Sequence, residues 1–499
     1  MRNDLGKGEL TAAPGAVAGV GGAAGETTIV LPRVALRDAR FQLSRPHVAL
    51  ARPFYGVAAL AALLAACVAV VVFASAGPSV LAPGSEYAFP GWVAGPLEGL
   101  FGRLTGDPQT LGYGLSAVLV AMTLAYGVAL ASLRSLSMRT IVIAVVALHA
   151  VLLLSPPLEL TDLFNYLGYA RLGGLHHLNP YTHVIAAAPN DPIYGMTSWH
   201  NLRSPYGPAF TLLTYPLALV PVPVACWLLK AATVLASLGF IALVWRCARQ
   251  LGRDPRFAVL FVAANPIFLI YELGGFHNDV FMLVPAMAAI SLLLDRRDRS
   301  AGALLMLAVA VKFTAVLLLP FLLLAGHPGR RRQLRLLAGS AFAAVPLATA
   351  SIAAFGFATP NLSAQTTLDT PFGVPNLVGL ALGLGGGTPA VLAAMGVACV
   401  AALAACLVLV LRRRLDWLSA AGFSTLALIA SIAWLTPWYV VWVLPLAALG
   451  ASVRLRRTAL ASTVFLLLAF MPATAILGIN PTGTSVGRAV NAAAMRLAR

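Results

Sequence analysis

The stretch from Pro53 to Ala76 reads PFYGVAALAALLAACVAVVVFASA and contains no charged residue. An α-helix needs about 20 consecutive apolar residues to cross the hydrocarbon core of a membrane, whereas barrel strands alternate in polarity over about 10 residues. In hydrocarbon, a helix also pairs every backbone amide within one segment. The stretch therefore predicts a membrane-spanning helix.

The rest of the chain repeats this pattern. Of its 499 residues, 60% are hydrophobic and 10% are charged, whereas a soluble domain carries about 25% charged residues. We therefore predict an all-α, polytopic integral membrane protein with about 11 to 13 transmembrane helices. The apolar runs lie at 54–76, 112–133, 139–154, 206–220, 222–245, 257–271, 279–294, 301–324, 336–355, 388–411, 417–433, 438–450 and 458–478.

The net charge of +17 does not indicate a nucleic-acid-binding protein. The basic residues lie in short clusters between apolar runs, as they do in cytoplasmic loops of membrane proteins, and form no continuous stripe. We predict a disordered cytoplasmic tail at 1–52, a membrane domain at 53–478 and a C-terminal tail at 479–499. Membrane lipids are the expected surroundings of the domain, and nucleic acid is not an expected partner.

The basic clusters also orient the segments. With the N-terminal arginines inside, the stretch 155–207 lies outside the cell. The later clusters stay inside only if 206–220 is a re-entrant or broken helix and the run 301–324 breaks at Lys312. This topology brings the sequence His277-Asn278-Asp279 and Lys312 to the outer face, together with 155–207.

The stretch 155–207 is rich in polar residues in a chain that is otherwise nearly devoid of them. Loops on a rigid scaffold are where catalytic groups gather. Residues Thr161 to Arg171 are predicted to form a short amphipathic helix on the membrane surface, with Phe164, Leu167 and Leu172 facing lipid. Its first turn contains an acid, Asp162. This residue either caps the helix and stabilises its N-terminus electrostatically, or it is a functional carboxylate.

Other polar residues allow two interpretations each. Lys312 is either a helix-end lysine that snorkels to the interface or a ligand-binding cation, and Asn278 and Asp279 are either helix caps or binding residues. We predict an interfacial aromatic belt from Trp434, Trp438, Tyr439 and Trp442 rather than a sugar-stacking surface. No cofactor or metal site is predicted, since the histidines match no zinc spacing, and metal dependence stays open. The candidates for lining a substrate cavity are Asn165, Tyr166, Arg171, Asn179, Tyr181, Arg203 and Tyr206.

Five motifs occur in a characteristic order. They are NPY at 179–181, SPYGP at 204–208, GGFHNDVFML at 274–283, AVAVKFTAVLLLPFL at 308–322 and TPWYVVWVLPLAAL at 436–449. This order resembles the GT-C glycosyltransferases, and more narrowly the actinobacterial polyprenol-phosphate-mannose-dependent α-1,6-mannosyltransferases that extend lipomannan. That family has a Ser-Arg-Asp-Val-Tyr type string in its first outer loop. This chain keeps the acid as Asp162 but has Thr161 in place of the arginine.

The resemblance implies a GT-C fold in the cell membrane with an extracytoplasmic catalytic loop. It implies an inverting transfer of mannose from polyprenyl-phosphate-mannose to a cell-envelope glycan or lipoglycan. Asp162 matches the family's acid and is the candidate catalytic base, while Lys312, His277, Asn278 and Asp279 are candidates for binding the donor phosphate or sugar. Two alternatives stay open: a related transferase for another lipid-linked sugar such as arabinose or glucose, and a polytopic transporter or lipid flippase.

Overall fold

The computed structural model describes residues 53–75, 89–97, 100, 107–158, 161–360, 368–481 and 496. The predicted tail at 1–52 and most of the tail at 479–499 lie outside these residues. Within them the secondary structure is helical, and no strand is present. The α-helices are α1 (Pro53–Ser75), α2 (Pro108–Ala131), α3 (Met138–Leu154), α4 (Asp162–Gly174), α5 (Pro208–Thr214), α6 (Val222–Gln250), α7 (Pro255–Ala263), α8 (Asp279–Leu294), α9 (Asp298–Val311), α10 (Leu319–Leu324), α11 (Arg330–Phe355), α12 (Val374–Ala381), α13 (Pro389–Leu411), α14 (Trp417–Ser431), α15 (Leu444–Leu449), α16 (Val453–Phe470) and α17 (Pro472–Ile476).

Short helices of other kinds connect these elements. A π-helix spans Phe268–Leu273. The 3-10 helices are Gly91–Ala94, Leu133–Ser135, Ile185–Ala187, Tyr194–Met196, Tyr215–Leu219, Phe313–Leu318 and Pro437–Trp442.

Five helices in the described ranges are long and apolar enough to cross a membrane. They are α1, from Phe54 onward, and α2, α6, α11 and α13. Shorter apolar helices accompany them, including α3, α8 and α14. The prediction of an all-α, polytopic membrane protein is confirmed, while the number of crossings stays a prediction.

Both predicted helix breaks are present. The run 206–220 forms the short helix α5 and a 3-10 turn, and Pro221 precedes α6. In the run 301–324, α9 ends at Val311, and Lys312 is extended, with φ −153° and ψ 119°. The chain resumes as the 3-10 helix Phe313–Leu318. Both breaks interrupt the run of membrane-length helix, as the orientation of the basic clusters required.

The predicted surface helix is instead buried. Helix α4 packs against α5, α6 and the turn Tyr215–Leu219. Phe164, Leu167 and Leu172 are 2%, 1% and 1% exposed, so they do not face lipid. The prediction was wrong because other helices cover the polar and the apolar face of α4 alike, and its sequence does not specify those neighbours.

Helix α9 packs against α8 on one side and against α11 on the other. Asp279 lies at the start of α8, and Lys312 follows the end of α9. Glycines allow α9 and α11 to touch backbone to backbone, as small residues often do between membrane helices. A Cβ atom on Gly339 would lie 1.9 Å from the carbonyl oxygen of Arg299, and one on Gly302 would lie 2.1 Å from that of Leu336. The packing of the N-terminal part of α9 against α11 therefore depends on these two glycines.

Replacing Gly339 with alanine should lower the stability of the protein, because the added methyl group forces the two helix backbones apart. Overpacking of this kind costs about 1–3 kcal/mol. The measurement is the thermal denaturation midpoint of the purified protein in detergent. Gly396→Ala is the matched control, since no atom lies within 4 Å of a Cβ at that helical position. Equal midpoints for the two variants would contradict the close helix contact.

Candidate active site

Asp162 begins helix α4 and lies in the protein interior, where 9% of its surface is exposed. Its Oδ1 accepts a hydrogen bond of 2.9 Å from the Tyr206 hydroxyl. Its Oδ2 lies 3.4 Å from Nδ1 of His277. The carboxylate of Asp162 thus faces two other predicted site residues.

The surroundings of Asp162 also change its acidity. Burial raises the pKa of its carboxyl group to about 6, although the Tyr206 hydrogen bond and the charge of Lys312 oppose this rise. A general base works best when its pKa lies near the operating pH. Asp162 is therefore suited to take a proton from a bound hydroxyl.

Lys312 and Asp279 form an ion pair between the end of α9 and the start of α8. Lys312 Nζ lies 2.6 Å from Asp279 Oδ1, and the indole N–H of Trp442 donates to the same oxygen. The side chain of Asp279 is 1% exposed and that of Lys312 is 22% exposed. A buried carboxylate therefore holds the Lys312 ammonium group, and Asp279 is more than a helix cap. Asn278 stands at the N-cap position but makes no side-chain cap hydrogen bond.

Aromatic side chains enclose this pair. Trp438 stacks on His277 with 3.8 Å between ring centroids, and Tyr439 stacks on Trp442 with 4.6 Å. Trp438 and Trp442 are 7% and 6% exposed. The prediction of an interfacial belt is therefore wrong for these two tryptophans, which are buried in the site. Tryptophan beside an apolar run is so common at membrane interfaces that the sequence alone favours the belt.

His277 and Asn278 occupy the loop that leads into α8. Burial and the positive charge of Lys312 hold the pKa of His277 well below its usual range, so its ring is neutral. The backbone N–H of Asn278 donates to the Tyr166 hydroxyl at 3.1 Å. Tyr166 therefore fixes the loop through its backbone. This contact leaves Nε2 of His277 and Nδ2 of Asn278 without a hydrogen-bond partner.

Four polar atoms in this region are buried and have no hydrogen-bond partner among the described residues. They are Glu272 Oε2, His277 Nε2, Asn278 Nδ2 and Asp279 Oδ2. More than about 90% of buried polar groups in proteins are paired with protein or ordered water. A cluster of unpaired donors and acceptors therefore calls for ordered water or a polar ligand as its partner.

Glu272 was not among the predicted site residues. Its Oε1 accepts a hydrogen bond of 3.0 Å from the backbone of Val280, and the residue is fully buried. The signal was present in the sequence, because an acidic residue at the end of an apolar run is costly and usually functional. The polar segment predicted from the sequence begins at Gly274 and so excludes Glu272.

The SPYGP motif brings Tyr206 to the site. The N–H of Gly207 donates to the carbonyl of Val311 at 3.2 Å. A Cβ atom on Gly207 would lie 2.3 Å from the carbonyl oxygen of Ala310. Tyr181 supports the turn, since its hydroxyl donates to the carbonyl of Tyr206 at 2.9 Å. The motif thus joins the Asp162 side of the site to the break at Lys312.

Three other predicted cavity residues make their contacts elsewhere, and a fourth, Asn165, contacts both the loop around Ser198 and Asp162. The side-chain oxygen of Asn165 accepts from the N–H of Ser198 at 3.1 Å. Nε of Arg171 lies 2.8 Å from Oδ1 of Asp191. Asn179 donates to the carbonyl of Phe355 at 2.8 Å, and Arg203 is exposed. Asn165 nevertheless lies one helical turn after Asp162, and its side-chain hydrogen bond helps to lower the pKa of that carboxyl group. Arg171 and Asn179 support the scaffold, so the structure does not bring Arg171, Asn179 and Arg203 to the cluster around Asp162. Among the described residues, no group of three or more His, Cys, Asp or Glu side chains is arranged to hold a metal ion.

An apolar groove lies beside the ion pair. Its empty volume is about 450 Å³, and its walls come from α8, the 3-10 helix Phe313–Leu318, α14 and the segment from Trp442 to Leu446. Trp442 lines the groove and also donates to Asp279. Trp442 therefore stands between the groove and the charged cluster.

Two family models match the chain. Residues 48–327 match the model described as alpha-(1->6)-mannopyranosyltransferase, N-terminal domain. Residues 370–498 match the model described as MptB C-terminal domain.

The chain is similar to several curated proteins. Alpha-(1->6)-mannopyranosyltransferase A of Mycobacterium tuberculosis is 34% identical over 182 residues, which are 35% of this chain and 34% of that protein. Alpha-(1->6)-mannopyranosyltransferase B of Corynebacterium glutamicum is 24% identical over 349 residues, 60% of this chain and 57% of that protein. A second alpha-(1->6)-mannopyranosyltransferase of M. tuberculosis is 25% identical over 390 residues, 63% of this chain and 66% of that protein. The alignments thus span from about a third to about two thirds of these relatives. No solved structure matches the chain.

Breaking the Lys312–Asp279 pair from one side should destabilise the protein more than removing both charges. Lys312→Met leaves a buried carboxylate without its cation, and such a change costs about 3–5 kcal/mol. The double variant Lys312→Met/Asp279→Asn should recover part of this loss. The measurement is a double-mutant cycle of denaturation midpoints in detergent. Strictly additive effects would show that the two charges do not interact.

Proposed function

Because the chain belongs to the alpha-(1->6)-mannopyranosyltransferase family, we propose that it is a membrane glycosyltransferase. In this proposal it transfers mannose from polyprenyl-phosphate-mannose to a hydroxyl group of a cell-envelope glycan or lipoglycan. The observation that supports the proposal is that a buried carboxylate, Asp162, lies close to the Lys312–Asp279 pair. An apolar groove lies beside this group of residues.

Asp162 is the proposed general base. An acceptor hydroxyl is a weak nucleophile, and a carboxylate held against it can take its proton while the new bond forms. The acceptor oxygen attacks the anomeric carbon of mannose, the bond from that carbon to the phosphate oxygen breaks, and the proton passes to Asp162. Attack from the face opposite the phosphate inverts the configuration at the anomeric carbon. The raised pKa of Asp162 supports this role.

Lys312 is the proposed partner of the leaving phosphate. The negative charge on the phosphate grows as the bond to mannose breaks, and a nearby cation stabilises that charge. Lys312 keeps 22% of its side chain exposed while Asp279 holds the ammonium group in position. The unpaired side-chain atoms of His277 and Asn278 are suited to bind the mannose hydroxyls or the phosphate.

The apolar groove supports a lipid-linked donor rather than a nucleotide sugar. Its wall residues include Met282, Leu283, Ala286 and Leu318, which offer hydrocarbon contact. A polyprenyl chain in this groove would leave its phosphate beside Lys312, since Trp442 borders both. Burying its apolar surface there supplies binding energy of about 25 cal/mol per Å².

We place the site at the extracytoplasmic face. Helices α8 and α9 are neighbours joined by a short turn. Asp279 and Lys312 lie at one end of this pair, and Arg296, Arg297 and Arg299 lie at the other. Basic residues favour the cytoplasmic side. The opposite end, with the site, therefore faces outward in a multi-pass topology.

Asp162→Asn should abolish transfer without unfolding the protein, because the amide is similar in size but cannot take the proton. Loss of a general base lowers the rate by about 100- to 10,000-fold. Membranes carrying the wild type or the variant would be supplied with radiolabelled polyprenyl-phosphate-mannose and a mannosyl acceptor. Asp295→Asn is the matched control, since Asp295 pairs with Arg246 away from the site. A rate for Asp162→Asn within a few-fold of wild type would reject the role, and consumption of lipid-linked arabinose or glucose instead of mannose would reject the donor.

The rate should also depend on pH through Asp162. Only the deprotonated carboxylate accepts a proton, and its pKa is raised to about 6. The value of kcat/KM should therefore fall about tenfold per pH unit below this pKa and level off above it. The residual rate of Asp162→Asn should lack this dependence. A profile that stays flat for the wild type from pH about 5 to pH about 8 contradicts the assignment.

A further inference from the structure

A further acidic residue, Asp369, is not part of the candidate active site described above. It is partly buried, and its Oδ1 is buried without a hydrogen-bond partner among the described residues. Burial raises the pKa of its carboxyl group to about 6. No described basic side chain pairs with this carboxylate in an ion pair. A carboxylate oxygen in this state calls for a donor from a ligand or from water.

The backbone around Asp369 is fixed. The N–H and the hydroxyl of Thr370 both donate to the carbonyl of Ala433 at 3.1 Å, and the N–H of Leu435 donates to the Thr370 hydroxyl at 3.0 Å. Two glycines border the carboxylate. A Cβ atom would lie 3.3 Å from Oδ1 if placed on Gly373, and 3.4 Å from Oδ2 if placed on Gly387. Side chains at these two positions would crowd the carboxylate oxygens.

One of a pair of tryptophans belongs to a segment whose backbone is tied to the residue after Asp369. Trp434 follows Ala433, the residue that accepts both hydrogen bonds from Thr370. The Trp434 ring meets the ring of Trp199 edge to face, with centroids 6.0 Å apart, and both residues are partly exposed. An aromatic face beside a carboxylate suits a neutral pyranose, whose C–H face packs on the ring while its hydroxyls donate to the acid.

The same surface leads to the proposed base. The N–H of Trp199 donates to Oδ1 of Asn165 at 3.4 Å, and Asn165 lies one helical turn after Asp162. On the other side, Trp434 lies four residues before Trp438, which stacks on His277. A chain of sugars bound at Asp369 could therefore reach Asp162.

We propose that Asp369, Trp199 and Trp434 form an acceptor subsite that binds a mannose residue of the growing glycan, remote from the reacting hydroxyl. This inference rests on the proposed function. The negative charge of Asp369 excludes the donor phosphate from this position. Binding energy from such a remote sugar holds the reacting hydroxyl in place.

The test compares Asp369→Asn and Trp434→Leu with wild type, using α-(1→6)-linked mannotriose as the acceptor. Loss of a hydrogen bond to a charged group should raise the acceptor KM about tenfold or more. The KM for polyprenyl-phosphate-mannose and the denaturation midpoint should stay unchanged. Asp295→Asn and Trp245→Ala are the matched controls, since Trp245 is exposed on α6 away from this loop. An acceptor KM within twofold of wild type for both variants overturns the subsite.

A binding measurement separates failure of the subsite from failure of the proposed function. Radiolabelled mannotriose is titrated onto the purified protein in detergent, without any donor. Weaker binding to Asp369→Asn than to Asp295→Asn supports the subsite even if the wild type transfers no mannose, and that outcome would reject only the transfer reaction. Equal binding to the two variants, or no binding to the wild type, overturns the subsite whatever the transfer assay shows.

Discussion

The site depends on keeping the charges of Lys312 and Asp279 together inside an apolar protein. Burying a single charge has a large desolvation penalty. Attraction between opposite charges offsets this penalty only at close range and with further hydrogen bonds. Here the ammonium and carboxylate groups are 2.6 Å apart, and Trp442 donates to the same carboxylate oxygen. The pair requires Asp279 at the start of α8 and Lys312 just beyond the end of α9.

That requirement explains why the helices around the site are short or broken. An unbroken helix over the run 301–324 would place the Lys312 ammonium group in the middle of an apolar helix, where a charge is unfavourable. The extended backbone at Lys312 instead turns the chain at the site, and Gly207 lets the SPYGP turn approach it closely. The glycines of α9 and α11 hold the opposite, N-terminal end of α9 against α11. The geometry of the site is thus a consequence of helix packing and not of one mobile loop.

The sequence predicted the features that follow from local hydrophobicity and charge. The membrane class, the break at Lys312 and the meeting of Asp162 with the His277-Asn278-Asp279 segment were all accessible in this way. The burial of α4 and of Trp438 and Trp442 was not, because it depends on helices distant in the sequence. Glu272 was overlooked although its single charge in an apolar run was a usable signal. Asp369 gave no signal, since an acid in a polar loop is usually solvated.

In the proposed mechanism, one cavity brings the lipid phosphate to Lys312 and the acceptor to Asp162. The most direct measurement is an electron cryomicroscopy map of the protein with a non-hydrolysable phosphonate analogue of polyprenyl-phosphate-mannose. We expect the phosphonate within hydrogen-bond distance of Lys312 Nζ, the lipid chain in the groove that Trp442 borders, and the anomeric carbon facing Asp162. Density for the phosphonate away from Lys312, with Asp162 shielded from the sugar, would contradict the account.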